Sequence, residues 1–137
     1  MRREKGQAVV EFALVLPLFL VIVFGVIFSG LLYADYLTLA NVARSSAREA
    51  AIRGESEYSE IISDYYSQTK LLTNLYKWSK SDFTIASEQV ASHPSVKVTL
   101  TAELNSSFPG AGAAKSWKIL PEKYKIEYSM YQEPNQE

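Results

Sequence analysis

Apolar and polar positions divide the chain into three regimes. Residues 12–34, FALVLPLFLVIVFGVIFSGLLYA, are 23 in a row without a formal charge. About 20 helical residues cross a hydrocarbon core of ~30 Å, so this run predicts a membrane-spanning helix. From Asp35 the pattern turns amphipathic: Leu37, Ala40, Ala43, Ala47 and Ala50 or Ala51 recur at three and four residues, the helical period. Arg44, Arg48 and Glu49 fall off that stripe. No breaker separates run from stripe, so one helix is expected from about Ala8 to Arg53. Gly54 is its natural stop, and Arg53 faces the negative helix end. A narrow alanine stripe calls for close packing against a globular head rather than for a bare stalk.

Past Gly54, Tyr58, Ile61, Ile62, Tyr65, Tyr66, Thr69, Leu72 and Tyr76 keep helical spacing. Glu55, Glu57 and Glu60 at the front suit a positive helix N-terminus. A second amphipathic helix is expected there. The period then drops from 3.6 to 2. In SVKVTLTAEL the residues Val96, Val98, Leu100, Ala102 and Leu104 share one face. In YKIEYSMY it is Tyr124, Ile126, Tyr128 and Met130. Both read as half-buried strands, and DFTIASEQV, with Phe83 and Ile85, as a weaker third. Between the two strong strands lies NSSFPGAGAAKSWKILPE, loop chemistry with Phe108 and Trp117 as candidates to dock it. The tail EPNQE has the composition of a disordered end. The fold class is α+β: a long, partly transmembrane N-terminal helix, a second helix and a small antiparallel sheet forming the head.

Charge flanking the apolar run orients it. Arg2, Arg3 and Lys5 precede it, offset by Glu4, and Asp35 follows. The positive-inside tendency places the N-terminus in the cytoplasm and the head outside. A cleaved secretory signal normally has an apolar region of ~7–15 residues; this one is longer and lacks small residues at a cleavage position near its end. Pro17 lies within the run, where it either makes a mild kink or marks a bend. Gly25 and Gly30 are five apart, the wrong spacing for a GxxxG dimer face.

Composition narrows the chemistry. A net charge of -1 gives no basic field for nucleic acid. There is no cysteine, which excludes disulfides, zinc-thiolate sites and thiol nucleophiles. The single histidine, His93, precedes a proline in a polar turn with no catalytic partner near it in sequence. Glu55, Glu57, Glu60 and Asp64 spread over about two turns, a solvated helix face rather than a calcium loop. Asn105-Ser106-Ser107 matches a glycosylation sequon of the kind that arises by chance. No cofactor, metal site or catalytic constellation is expected, and an enzyme is the least favoured class.

One carboxylate remains to be explained. Glu11 stands at the mouth of the apolar helix, five residues after Gly6, with the basic leader before both. Gly6-Gln7-Ala8-Val9-Val10-Glu11 resembles the class III signal of type IV pilins and pseudopilins. The wider stretch, RREKGQAVVEFALVLPLFLVIVFGVI continuing through NVARSSAREAAIRG, resembles TadE-like proteins, minor pilins or pseudopilins of tight-adherence systems in bacteria. The resemblance covers residues 2–54 closely and the head only in general plan. It implies cutting between Gly6 and Gln7 by a prepilin peptidase. It also implies a role for Glu11, as fifth mature residue, in pairing with the new α-amine of a neighbouring subunit. The spacing alone leaves a Glu snorkelling to the headgroups equally open. The organisation so implied is a leader over 1–6, a transmembrane helix half over 7–34, a pilin-like extracytoplasmic head over 35–132 and a tail over 133–137. The implied function is assembly, priming or capping of a tight-adherence type IV pilus in cell adhesion, with other pilins and the assembly machinery as partners. The implied location is the cell membrane, then the cell surface. The alternative is a free-standing single-pass membrane protein with an extracytoplasmic binding head.

Overall fold

The computed structural model describes residues 2–108, 111–116, 118 and 120–132, without the side chains of 2–5 and 113. Pro109, Gly110, Trp117 and the tail 133–137 lie outside the described residues, and with them the docking role expected of Trp117 and the disorder expected of the tail. The chain forms two compact units, Met1–Ala34 and Asp35–Glu137. Helix α1 runs Arg2–Arg53, 52 residues with Pro17 inside it. A 3-10 turn at Glu55–Glu57 leads into α2, Tyr58–Gln68. Then come β1 (Tyr76–Lys77), β2 (Phe83–Val90), β3 (His93–Leu104), a short helix α3 (Ala111–Ser116) and β4 (Lys123–Tyr131). This is the expected α+β arrangement.

Helix α1 ends where glycine permits. Gly54 takes φ +86° while its N–H donates to the Ala50 carbonyl at 3.1 Å, a backbone conformation that a Cβ disfavours. Arg53 bridges the exit, 3.0 Å from Glu49 and 3.2 Å from Glu57. The buried stripe keeps Ala43, Ala47 and Ala50 of the expected one but not Leu37. Asp35, Leu39, Val42, Ala43, Ser46, Ala47 and Ala50 are buried, whereas Leu37 is exposed. The face is therefore rotated toward Leu39 and Val42, and Ser46 joins it by donating to the Val42 carbonyl at 2.7 Å and the Ala43 carbonyl at 3.2 Å. A hydroxyl bonded back onto its own helix can be buried at little cost.

The second helix stops earlier than its spacing suggests. Thr69 is extended, its N–H capping the Tyr65 carbonyl at 3.1 Å. Leu72 lies in the following loop and Tyr76 in β1, which no alternating pattern announced. Ile61 is the buried residue of α2, packed with Ala50 and Val96 and flanked by Ala51, Tyr58, Tyr65 and Ile85. The expected loop between the strong strands carries the short helix α3.

Strand β3 is the centre of an antiparallel sheet. It pairs with β2 from His93 to Leu100 and with β4 from Ser95 to Glu103. These ranges overlap, so β2 and β4 must occupy opposite edges of β3. β1 pairs with Glu103 and Leu104 and continues the β2 side. The period-2 reading holds: Val96, Val98, Leu100 and Ala102 are buried, beside Phe83 and Ile126. Arg44 of α1 lies over the Tyr128 ring, 5.6 Å from its centre, on the sheet face that the helix covers. The opposite face is polar, with Lys97 placed 3.9 Å from Glu88 and 3.6 Å from Glu127, and Lys123 paired with Glu103.

Candidate functional site

The N-terminal residues singled out by sequence all lie on α1. Gly6, Gln7, Glu11 and Pro17 are exposed in the helix. A Cβ built at Gly6 would meet nothing within 4 Å. The same is true of Gly25 and Gly30. Glycine in a helix interior costs ~1 kcal/mol relative to alanine, so the packing of this chain gives no reason for glycine at these positions. The apolar stretch is long and apolar enough to cross a membrane, and none of its most apolar window is buried within the chain. Val10, Phe12, Leu14, Val21 and Phe24 are all more than half exposed, an arrangement that hydrocarbon tolerates and water does not.

Asp35 is the residue that sequence reasoning missed. It entered that reading only as the charge ending the apolar run, yet its side chain is 1 % exposed. Its carboxylate accepts hydrogen bonds from the Leu72 N–H at 2.6 Å, the Thr73 N–H at 3.0 Å and the Thr73 hydroxyl. Three donors satisfy most of what a buried carboxylate requires. Nothing local could have found this, because the partners lie 37 and 38 residues along the chain. The same loop is held from its other side by Asn105, whose Nδ2 donates to the Asn74 carbonyl at 2.8 Å and whose N–H donates to the Leu75 carbonyl at 2.7 Å. Asn105 is itself nearly buried and accepts from the Ser107 N–H at 3.1 Å. The sequon asparagine thus has a structural task.

Three tyrosines gather beside this clamp. Tyr124 meets Tyr76 edge-on at 4.8 Å and Tyr36 at 6.0 Å. The Tyr76 hydroxyl donates to the Pro121 carbonyl at 2.8 Å. Burial, then the negative charge of Asp35, then the neighbouring phenols Tyr76 and Tyr36, push the Tyr124 hydroxyl up to about 12. Burial raises Tyr76 as well. On α2, Tyr65 is raised first by burial and next by its hydrogen bond to Glu49. All three phenols are therefore held protonated, as packing and hydrogen-bonding groups rather than bases.

The remaining candidates do not assemble into a reaction centre. His93 opens β3, exposed and edge-on to Tyr131 at 5.9 Å. Among the described residues no three His, Asp or Glu side chains come together as a metal site. Glu57 of the acidic run is engaged with Arg53.

The model of the TadE-like protein family matches residues 6–48. Searches of curated proteins and of solved structures each returned no match. The matched segment begins at Gly6, takes in Glu11 and the whole apolar run, and ends inside the buried stripe of α1, just under a third of the chain. The TadE-like resemblance is thereby shown over residues 6–48, and together with the long apolar helix it fits a pilin-like, single-pass membrane protein.

Proposed function

We propose that this chain is a minor pilin or pseudopilin, cut after Gly6 by a prepilin peptidase and built into a tight-adherence pilus to assemble, prime or cap it. The observation that carries this reading is Gly6. It sits in a helix, where glycine is disfavoured, and an added Cβ would touch nothing. A demand from outside the chain, such as a peptidase reading the residue before its cut, accounts for it. The family match starting at this residue supports the same reading. The cut leaves Gln7 with a new α-amine, one helical turn from Glu11. A carboxylate at the edge of lipid gains from a cationic partner, and the amine of an adjacent subunit supplies one. The N-terminus is cytoplasmic and the head extracytoplasmic, as the basic leader favours. The apolar helix then serves as membrane anchor before assembly and as packing surface after it. The test is the N-terminal residue of protein purified from its native host. A chain beginning at Gln7 supports the proposal. A chain beginning at Met1 would return it to a free-standing membrane protein with a binding head.

A further inference from the structure

Leu72 is 71 % exposed, although hydrogen bonds tie the backbone of the loop that carries it. Asp35 holds the Leu72 and Thr73 amides, and Asn105 holds Asn74 and Leu75. The side chain is thus presented on a fixed backbone rather than left over from a slack loop. Its depth follows from its anchor. Asp35 is 24 residues beyond Glu11, ~36 Å along a helix at 1.5 Å per residue. The hydrocarbon core is ~30 Å thick, so Asp35 reaches the headgroup layer just past the lipid tails, and helix tilt only brings it deeper. A hydrogen bond of 2.6 Å places Leu72 at the same level. Beside it, a shallow groove is lined by Lys70, Leu71, Thr73, Tyr76, Lys77 and Trp78, with both lysines exposed. An apolar side chain flanked by lysines is the composition that suits an anionic lipid surface.

We infer that the Lys70–Thr73 loop is a second membrane contact of this protein: Leu72 enters the headgroup layer, while Lys70 and Lys77 meet anionic lipid headgroups. The inference rests on α1 crossing the bilayer, and a label in the span reports that separately.

The chain has no cysteine, so single labelling sites are clean. The full chain carrying Leu72→Cys, Gln89→Cys or Val21→Cys is spin-labelled and reconstituted in phosphatidylcholine vesicles with or without phosphatidylglycerol. Collisions with oxygen, which partitions into lipid, are compared with collisions with a water-soluble nickel chelate. The expected oxygen-to-nickel ratio at position 72 is severalfold that at 89, on exposed β2, and below that at 21. Adding Lys70→Glu and Lys77→Glu lowers the ratio at 72 in anionic vesicles and leaves it unchanged in neutral ones. A ratio at 72 equal to that at 89, with 21 in lipid, overturns the inference. So does shielding at 72 that vanishes on dilution in lipid, which would assign the surface to a second copy of the chain. Water at position 21 would remove the span from the bilayer and the inference with it.

Discussion

The Asp35 carboxylate accepts hydrogen bonds from both the backbone N–H, at 3.0 Å, and the hydroxyl of Thr73, across 38 residues of sequence. With the Leu72 amide it ties the start of the head's helical wall to the loop after α2. Asp35→Ala would strand two amides at a site where the carboxylate itself is buried. Each buried unsatisfied donor costs ~1–3 kcal/mol, so a total loss of ~2–4 kcal/mol is expected. Thr73→Val, which removes only the hydroxyl, should cost ~1 kcal/mol. Urea melts of the full chain in mild detergent, followed by tryptophan emission, give both values. Equal melts for Asp35→Ala and wild type would show that the clamp contributes nothing to stability.

The rotated stripe on α1 makes a paired test. Leu39 is fully buried and Leu37 is 42 % exposed. Leu39→Ala should cost ~2–5 kcal/mol, the usual range for emptying a core leucine site. Leu37→Ala should fall within ~0.5 kcal/mol of wild type. Ala43, also fully buried, leaves no room for growth, and Ala43→Leu should cost ~1–3 kcal/mol by overpacking. The reverse order for the two leucines would restore the stripe drawn from the alanines.

Alkaline pH should loosen the head through Tyr124. Its hydroxyl is raised in the folded state to about 12, against ~10 for a free tyrosine. The folded chain therefore keeps a proton that the unfolded chain loses. The stabilisation is fully present below pH ~10 and is lost as pH rises toward 12. Ultraviolet titration should show one tyrosine ionising after the others, and Tyr124→Phe should remove that late step and flatten the stability slope between pH 10 and 12.

Glu11 should matter for assembly and not for insertion. Removing a carboxylate from the edge of the apolar run eases lipid entry, so Glu11→Ala should reach the membrane at wild-type levels. If the charge pairs with a neighbour's amine, incorporation into filaments falls; co-purification with partner pilins measures it. Undiminished recovery of those partners would leave Glu11 to the headgroups.

The sheet was legible because its alternation is clean. Val96, Val98, Leu100 and Ala102 are buried in the order their spacing predicts, and Ile126 answers Leu100 across β4. The α1 stripe was legible at Ala43, Ala47 and Ala50 and missed at Leu39, Val42 and Ser46, because alanines mark close approach without marking the full width of the face, and a serine there looks polar until its hydroxyl is seen bonded to its own helix. Tyr76 was drawn into α2 by spacing that continued by coincidence. What stops α2 is capture of the following backbone by Asp35 and Asn105, partners too distant for any window to register. The polar turn read around His93 and Pro94 lies instead at Ala91 and Ser92, and His93 already opens β3. Ala91 and Ser92 both adopt positive φ, at 50° and 69°, where Asn-Gly would be the usual choice.

The central place of β3 governs how the head can be made. Its partner β4 closes the described part of the chain and bonds to it along nine residues. During synthesis β3 emerges with β2 already at hand, but its other edge stays bare until residue 131 is free of the ribosome. A nascent chain halted near Glu122 would carry a twelve-residue strand with one apolar face and one row of backbone donors and acceptors unpaired, a template for association with its own kind. Quality control acting on this protein thus has a defined window, which closes when β4 docks.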